Sequence, residues 1–141
     1  MTYAFDTNTV IHYLWGNVNV HKNFDNVLLS EQEHEFVIPR AVHYELCRGF
    51  RIKPVSKKEA MYKILTGDEG RCHIVDMGED FWRYAEQVYS ELYLKRFKVG
   101  ELDIQIAAFC LYHGYTLVTA NTNDFRNIDR LNIVDWTQIH Y

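Results

Sequence analysis

Apolar residues fall into short blocks divided by polar, turn-forming stretches, and the blocks alternate between strand-like runs and helical spacing. Thr2 to Phe5 predicts a first strand. It stops at Asp6-Thr7-Asn8, residues suited to capping a helix whose apolar members include Val10, Ile11 and Leu14, and Gly16-Asn17 ends that helix. A second helix is predicted over about His21 to Leu29, then a strand at Phe36-Val37-Ile38, then Pro39 in the first turn of a third helix that contains Glu45. Lys57 to Leu65 predicts a further helix, leading through Thr66-Gly67-Asp68 to a strand at His73-Ile74-Val75. From about Glu79 to Phe97, Phe81, Tyr84, Ala85, Val88 and Leu92 recur at helical spacing, a stripe that reads as core.

The pattern continues after Val99-Gly100 with a helix over Glu101 to His113, where Ile104, Ala107, Ala108 and Leu111 mark a buried face and Gly114 supplies the stop. Strands follow at Thr116 to Thr119 and at Leu131 to Val134. Strands alternating with helices predict an α/β fold, a central, mostly parallel sheet flanked by helices. No linker or repeat interrupts residues 1–141, so one domain is expected.

Composition narrows the class. With 48% hydrophobic and 24% charged residues, 7 Gly and 2 Pro, the chain is neither disordered nor collagen-like. No apolar run approaches the ~20 residues that cross a bilayer. Met1 to Trp15 lacks the basic start and cleavage site of a secretory signal, so a cytoplasmic location without membrane contact is expected. Cys47, Cys72 and Cys110 form no C-x-x-C pair and read as buried thiols, and the seven histidines, without paired ligand spacing, read as packing or surface residues. The net charge of −4 by itself argues against a nucleic-acid partner.

The placement of the charges changes that picture. In open α/β sheets ligands sit beyond the carboxyl ends of the strands. There the sequence gathers carboxylates: Asp6 directly after the first strand, Glu45 on the helix after the second, Asp103 in the first turn of a buried helix, and Asp124 after the strand ending at Thr119. Acids converging on one end repel one another unless a cation neutralises them, and an all-oxygen set favours Mg²⁺ or Mn²⁺ over zinc. Each acid also has an ordinary structural role open to it. Asp6 suits a helix cap, Glu45 the edge of the face formed by Val42 and Leu46, Asp103 the helix macrodipole, and Asp124 a turn.

At these residues the sequence resembles the PIN-domain ribonucleases, most closely the VapC toxins of bacterial and archaeal toxin–antitoxin pairs. Ala4-Phe5-Asp6-Thr7-Asn8 resembles the family's strand followed by D-T-N, and Tyr44-Glu45-Leu46 with Arg48-Gly49 its glutamate-bearing helix. Gly100-Glu101-Leu102-Asp103 with Ile106-Ala107-Ala108 resembles its G-x-x-D helix, and Leu117 to Asn121 continued by Thr122-Asn123-Asp124-Phe125 its late strand and turn. The resemblance implies a PIN-like fold and a Mg²⁺-dependent endoribonuclease, a homodimer or toxin–antitoxin hetero-oligomer, held inactive by a cognate VapB-type antitoxin. It implies structured RNA, tRNA above all and rRNA next, as substrate. Asp6, Glu45 and Asp103 carry over directly. Many PIN proteins have an aspartate where this chain has Asn121, so Asp124 serves the site through water or shapes the turn, and the role of Glu101 is open.

For phosphodiester cleavage this implies Mg²⁺ held by Asp6 and Asp103, with Glu45 and Asp124 completing a second metal site or orienting the attacking water. Thr7, Asn8, Thr119 and Asn121 are expected to hold these groups by hydrogen bonds. Residues 40 to 63 carry Arg40, Arg48, Arg51, Lys53, Lys57, Lys58 and Lys63 against Glu45 and Glu59, and Arg48, Arg51, Lys53, Lys57 and Lys58 are the candidate RNA contacts. Two other readings stand beside this one. A small Mg²⁺-dependent phosphatase or phosphoryl-transfer domain would use the aspartate after the first strand as nucleophile, although Asn8 breaks the D-x-D pattern of many such enzymes. A non-catalytic PIN-like RNA-binding module would need none of the acids.

Overall fold

The sheet has five strands, all parallel, in the spatial order β3-β2-β1-β4-β5. The structure, a computed structural model, describes residues 1–139. Along the chain these are β1 (Thr2–Phe5), α1 (Thr7–Leu14), α2 (Val18–Leu28), β2 (Glu35–Pro39), α3 (Arg40–Ile52), α4 (Ser56–Thr66), β3 (Cys72–Val75), α5 (Glu79–Leu94), α6 (Glu101–His113), β4 (Thr116–Val118), α7 (Thr122–Phe125) and β5 (Ile133–Val134). The α/β architecture predicted from the sequence is the one observed. A parallel sheet covered on both faces needs continuous apolar strands rather than alternating ones. Phe36, Val37 and Ile38 are accordingly all buried, as are Ala4, Phe5, Leu117 and Val118.

The chain lays β2 and β3 on one side of β1 and then crosses to lay β4 and β5 on the other. Connections therefore diverge at the carboxyl ends of β1 and β4, the place where open α/β sheets leave a crevice. On the β4 side of the sheet, α6 packs against α5 and β4, and its Ala107 and Ala108 are both fully buried. Gly114 ends α6 at φ 73°, the left-handed conformation that glycine adopts without a steric penalty.

Aromatic rings fill the other side. Phe24 and Phe36 lie 4.5 Å apart, and Trp136 meets Tyr3, Phe5, Phe24 and Phe36 at 5.3 to 6.2 Å between ring centroids. The segment carrying Trp136 is bound to α2 by side-chain amides. Asn23 donates to the carbonyls of Trp136 at 3.0 Å and Gln138 at 2.9 Å, and Asn19 to that of Thr137 at 2.8 Å.

Several boundaries differ from expectation. Helix α2 begins at Val18 rather than His21, because Asn17 does not merely end α1: its side chain accepts the Val20 N–H at 3.0 Å and caps the next helix. Pro39 closes β2 in register with Val75, so α3 starts one residue later, at Arg40. Helix α5 stops at Leu94, with Arg96 at φ 60°, and β5 keeps only two of the four residues expected. Thr122 to Phe125, read as a turn, forms the single helical turn α7. Cys72 and Cys110 are buried thiols, whereas Cys47 is half-buried.

Candidate active site

Asp6 follows β1 at the divergence point. Its side chain is the N-cap of α1, accepting the Thr9 N–H at 2.8 Å, and its own N–H donates to the Val118 carbonyl at 3.2 Å. It is 4% exposed. Burial lifts its carboxyl above the usual range, opposed by hydrogen bonding from the Thr119 side chain and Thr9 and by the nearby His12. The helix cap and the candidate site carboxylate are thus the same residue, with one oxygen committed to the cap.

Asp103 stands in the first turn of α6. Burial first, then the charges of Asp6, Glu45 and Asp124, push its carboxyl up to about 6. Four elements supply these acids: the β1–α1 junction, α3, α6 and α7. The other three carboxylates singled out in the sequence thus all act electrostatically on Asp103. Among the described residues no three His, Cys, Asp or Glu side chains close into a ready-made cation cage. The acids form an electrostatic basin around Asp103 instead.

The supporting residues divide. Thr119, fully buried, bonds to Asp6 and accepts the Asn121 N–H at 2.9 Å. Asn121 in turn donates from Nδ2 to Asp124 Oδ2 at 2.7 Å. Thr7 Oγ1 is buried with no hydrogen-bonding partner among the described residues, and Asn8 is exposed in the first turn of α1. Thr9 was missed from the sequence, yet its hydroxyl donates to the Val118 carbonyl at 2.9 Å while its N–H holds Asp6. Its signal was its position, third after the cap, where a backbone N–H meets the capping side chain.

Glu45 on α3 is paired with Arg48 at 3.6 Å, and the Arg48 guanidinium lies 5.2 Å over the Tyr44 ring. Arg51, Lys53 and Lys57 are exposed. Lys58 is committed elsewhere, donating to the Leu14 carbonyl at 2.9 Å and lying 5.3 Å over the Trp15 ring. Glu101 lines a separate groove of about 340 Å³ with Trp82 and Tyr89 between α5 and α6. His43, two residues before Glu45, bonds from Nδ1 to the Tyr62 hydroxyl at 2.9 Å and serves packing between α3 and α4. Among the described residues no helix is long and apolar enough to cross a membrane.

A parallel sheet with carboxylates beyond its strand ends defines an α/β protein with a candidate acidic site. The chain belongs to the PIN domain family, whose model matches residues 3–131. It is 27% identical over 136 residues to Ribonuclease VapC2 of Rickettsia felis, covering 96% of this chain and 98% of that protein. Its fold matches the crystal structure of VapBC2 from Rickettsia felis bound to a DNA fragment from its promoter, with TM-score 0.84, 25% identity and coverage of 96% of this chain and 99% of the other. VapBC-1 from nontypeable Haemophilus influenzae shares the fold with TM-score 0.83 at 22% identity, over 98% of this chain and 100% of that one.

Proposed function

We propose that this chain is a metal-dependent endoribonuclease acting as the toxin of a toxin–antitoxin pair, with structured RNA, tRNA or rRNA, as substrate and a VapB-type antitoxin as its partner. The observation that carries this reading is the convergence of Asp6, Glu45, Asp103 and Asp124 from four elements of a PIN-family fold. Likeness to the Rickettsia felis ribonuclease and to a solved VapBC assembly supports the activity and the partner class.

The donor set fits Mg²⁺ or Mn²⁺. It is all oxygen, and burial together with the charges of Asp6, Glu45 and Asp124 already raises Asp103 to about 6. Mg²⁺ characteristically takes one or two protein carboxylates and keeps several of its waters. Asp6 and Asp103 would hold it. When bound, the ion would supply an attacking oxygen active at neutral pH and offset charge building up at phosphorus.

The remaining steps belong to the chain. Glu45 and Asp124 orient the attacking water, one of the two carboxylates accepting its proton as the new P–O bond forms, while the ester P–O bond breaks and the leaving oxygen takes a proton from solvent. Asn121 holds Asp124 by the 2.7 Å bond from its amide, and hydrogen bonding from Thr119 and Thr9 holds Asp6, which restricts the orientation of both carboxylates.

The test compares wild type with Asp6→Asn and Asp103→Asn on total tRNA and rRNA in Mg²⁺, Mn²⁺ or EDTA. Cleavage by wild type that needs the divalent ion and drops at least about a hundredfold in both variants is expected. Cleavage in EDTA, or full activity in both variants, overturns the site. Hydrolysis of a small phosphomonoester without RNA cleavage would establish the phosphatase instead, and RNA binding without either activity a binding module. Growth arrest on induced expression, relieved by the partner gene, tests the toxin role.

A further inference from the structure

The Tyr44, Glu45 and Arg48 side chains share one turn of α3, and their arrangement has no use in packing: Tyr44 is 57% exposed, and the Arg48 side chain is 49% exposed. Residues three and four apart on a helix are surface neighbours, so Arg48 sits between the other two. Its guanidinium leans on the Tyr44 ring at 5.2 Å and on the Glu45 carboxylate at 3.6 Å. The second contact places a planar, five-donor cation at the edge of the acidic basin, since Glu45 is one of the charges acting on Asp103. Of the other cations in residues 40 to 58, Arg40 pairs with Asp76 at 2.7 Å and Lys58 with the Leu14 carbonyl, while Arg51, Lys53 and Lys57 are exposed.

We propose that Tyr44 and Arg48 form the nucleotide-gripping element of the site, Arg48 binding a backbone phosphate of the RNA beside the carboxylates and Tyr44 stacking on an adjacent, unpaired base. This rests on the ribonuclease reading and adds a demand to it: the nucleotide at the site must be unstacked, as in a loop or a bulge. A carboxylate basin repels a phosphodiester, and a guanidinium fork on its rim both offsets that repulsion and matches two phosphate oxygens. An exposed ring four residues away gives the base a face to stack on. Stacking on Tyr44 also holds the guanidinium in place before substrate arrives.

The experiment measures binding of a labelled single-stranded oligoribonucleotide to Asp103→Asn, in which cleavage is blocked, as a function of salt. Into that background go Arg48→Ala, Arg48→Lys, Tyr44→Ala and Tyr44→Phe, with circular dichroism to confirm the fold. Arg48→Ala is expected to weaken binding about tenfold and to reduce the slope of log affinity against log salt by about 0.7, the signature of one lost phosphate contact on a single strand. Arg48→Lys restores the slope but only part of the affinity. Tyr44→Ala weakens binding about tenfold with the slope intact, and Tyr44→Phe recovers most of the loss. If the oligonucleotide binds and wild type cleaves RNA, yet Arg48→Ala and Tyr44→Ala leave affinity and slope unaltered, the gripping element is wrong while the nuclease stands. If wild type neither binds nor cleaves RNA, both fall.

Discussion

The Thr9 hydroxyl donates to the Val118 carbonyl at 2.9 Å, joining the first turn of α1 to the end of β4 across 109 residues of sequence. That carbonyl also receives the Asp6 N–H, so one acceptor ties together the two strands whose ends frame the acidic site. Thr9→Val keeps the side chain's shape and the backbone cap on Asp6 but removes the hydroxyl. The expected cost is about 1 kcal/mol in urea unfolding, and a variant as stable as the parent would show the bond contributes nothing.

Asp103 titrates near 6 instead of its ordinary 3.8, so the folded chain retains a proton that the unfolded chain has released. Stability linked to that proton is complete below about pH 4 and is lost as the pH rises through about 6. Asp103→Asn stays neutral throughout. In EDTA it should exceed the parent's stability above pH 6 by on the order of 1 kcal/mol, allowing for water screening at a half-buried position, and the two curves should converge toward pH 4. Thermal unfolding across that range decides it; equal stability at about pH 8 would mean that charging Asp103 in its buried, acidic surroundings costs nothing.

Asn121 neutralises none of Asp124's charge but satisfies one of its oxygens, at 2.7 Å. Asn121→Asp exchanges that donor for a fifth carboxylate. The expected result in EDTA is a loss of about 1 kcal/mol, recovered as Mg²⁺ is added, with a larger Mg²⁺-induced rise in Tm than in the parent. A variant whose Tm ignores Mg²⁺ would place residue 121 outside the cation's reach.

The three thiols should differ in reactivity. Burial pushes Cys72 up to about 12 and Cys110 higher still, whereas Cys47 is half-buried on α3, with its sulfur 3.5 Å from His43 Nε2. A chromogenic disulfide should titrate one thiol quickly in the native protein and three in denaturant, and Cys47→Ser should abolish the fast phase. Two fast thiols would mean that the core around Cys72 or Cys110 opens.

Elements set by local chemistry were legible in the sequence. Thr2 to Phe5 and Glu101 to His113 were read with their observed ends because polar residues or glycine flank an unbroken apolar signal. Asn17 misled because one residue serves two helices, ending one and capping the other. The strand order was not legible, since nothing local tells β4 to pair with β1 rather than β3. The four acids were visible by strand-end placement, but Thr9 was not, because its role depends on a carbonyl in β4. Cys47 looked like the other cysteines, but it lies half-buried on a groove that it lines with Phe50 and Tyr62.

The amides of Asn19 and Asn23 clasp the backbone around Trp136, and that ring completes a cluster containing Tyr3 and Phe5. The ribosome delivers Tyr3 and Phe5 long before Trp136. Until residue 136 has emerged, the aromatic layer beneath β1 lacks its largest ring and β4 its outer neighbour, and contacts this distant in sequence form slowly even then. The ends of β1 and β4 that frame the acidic crevice thus gain this support only after residue 136 has been translated, which makes the crevice a late product of folding.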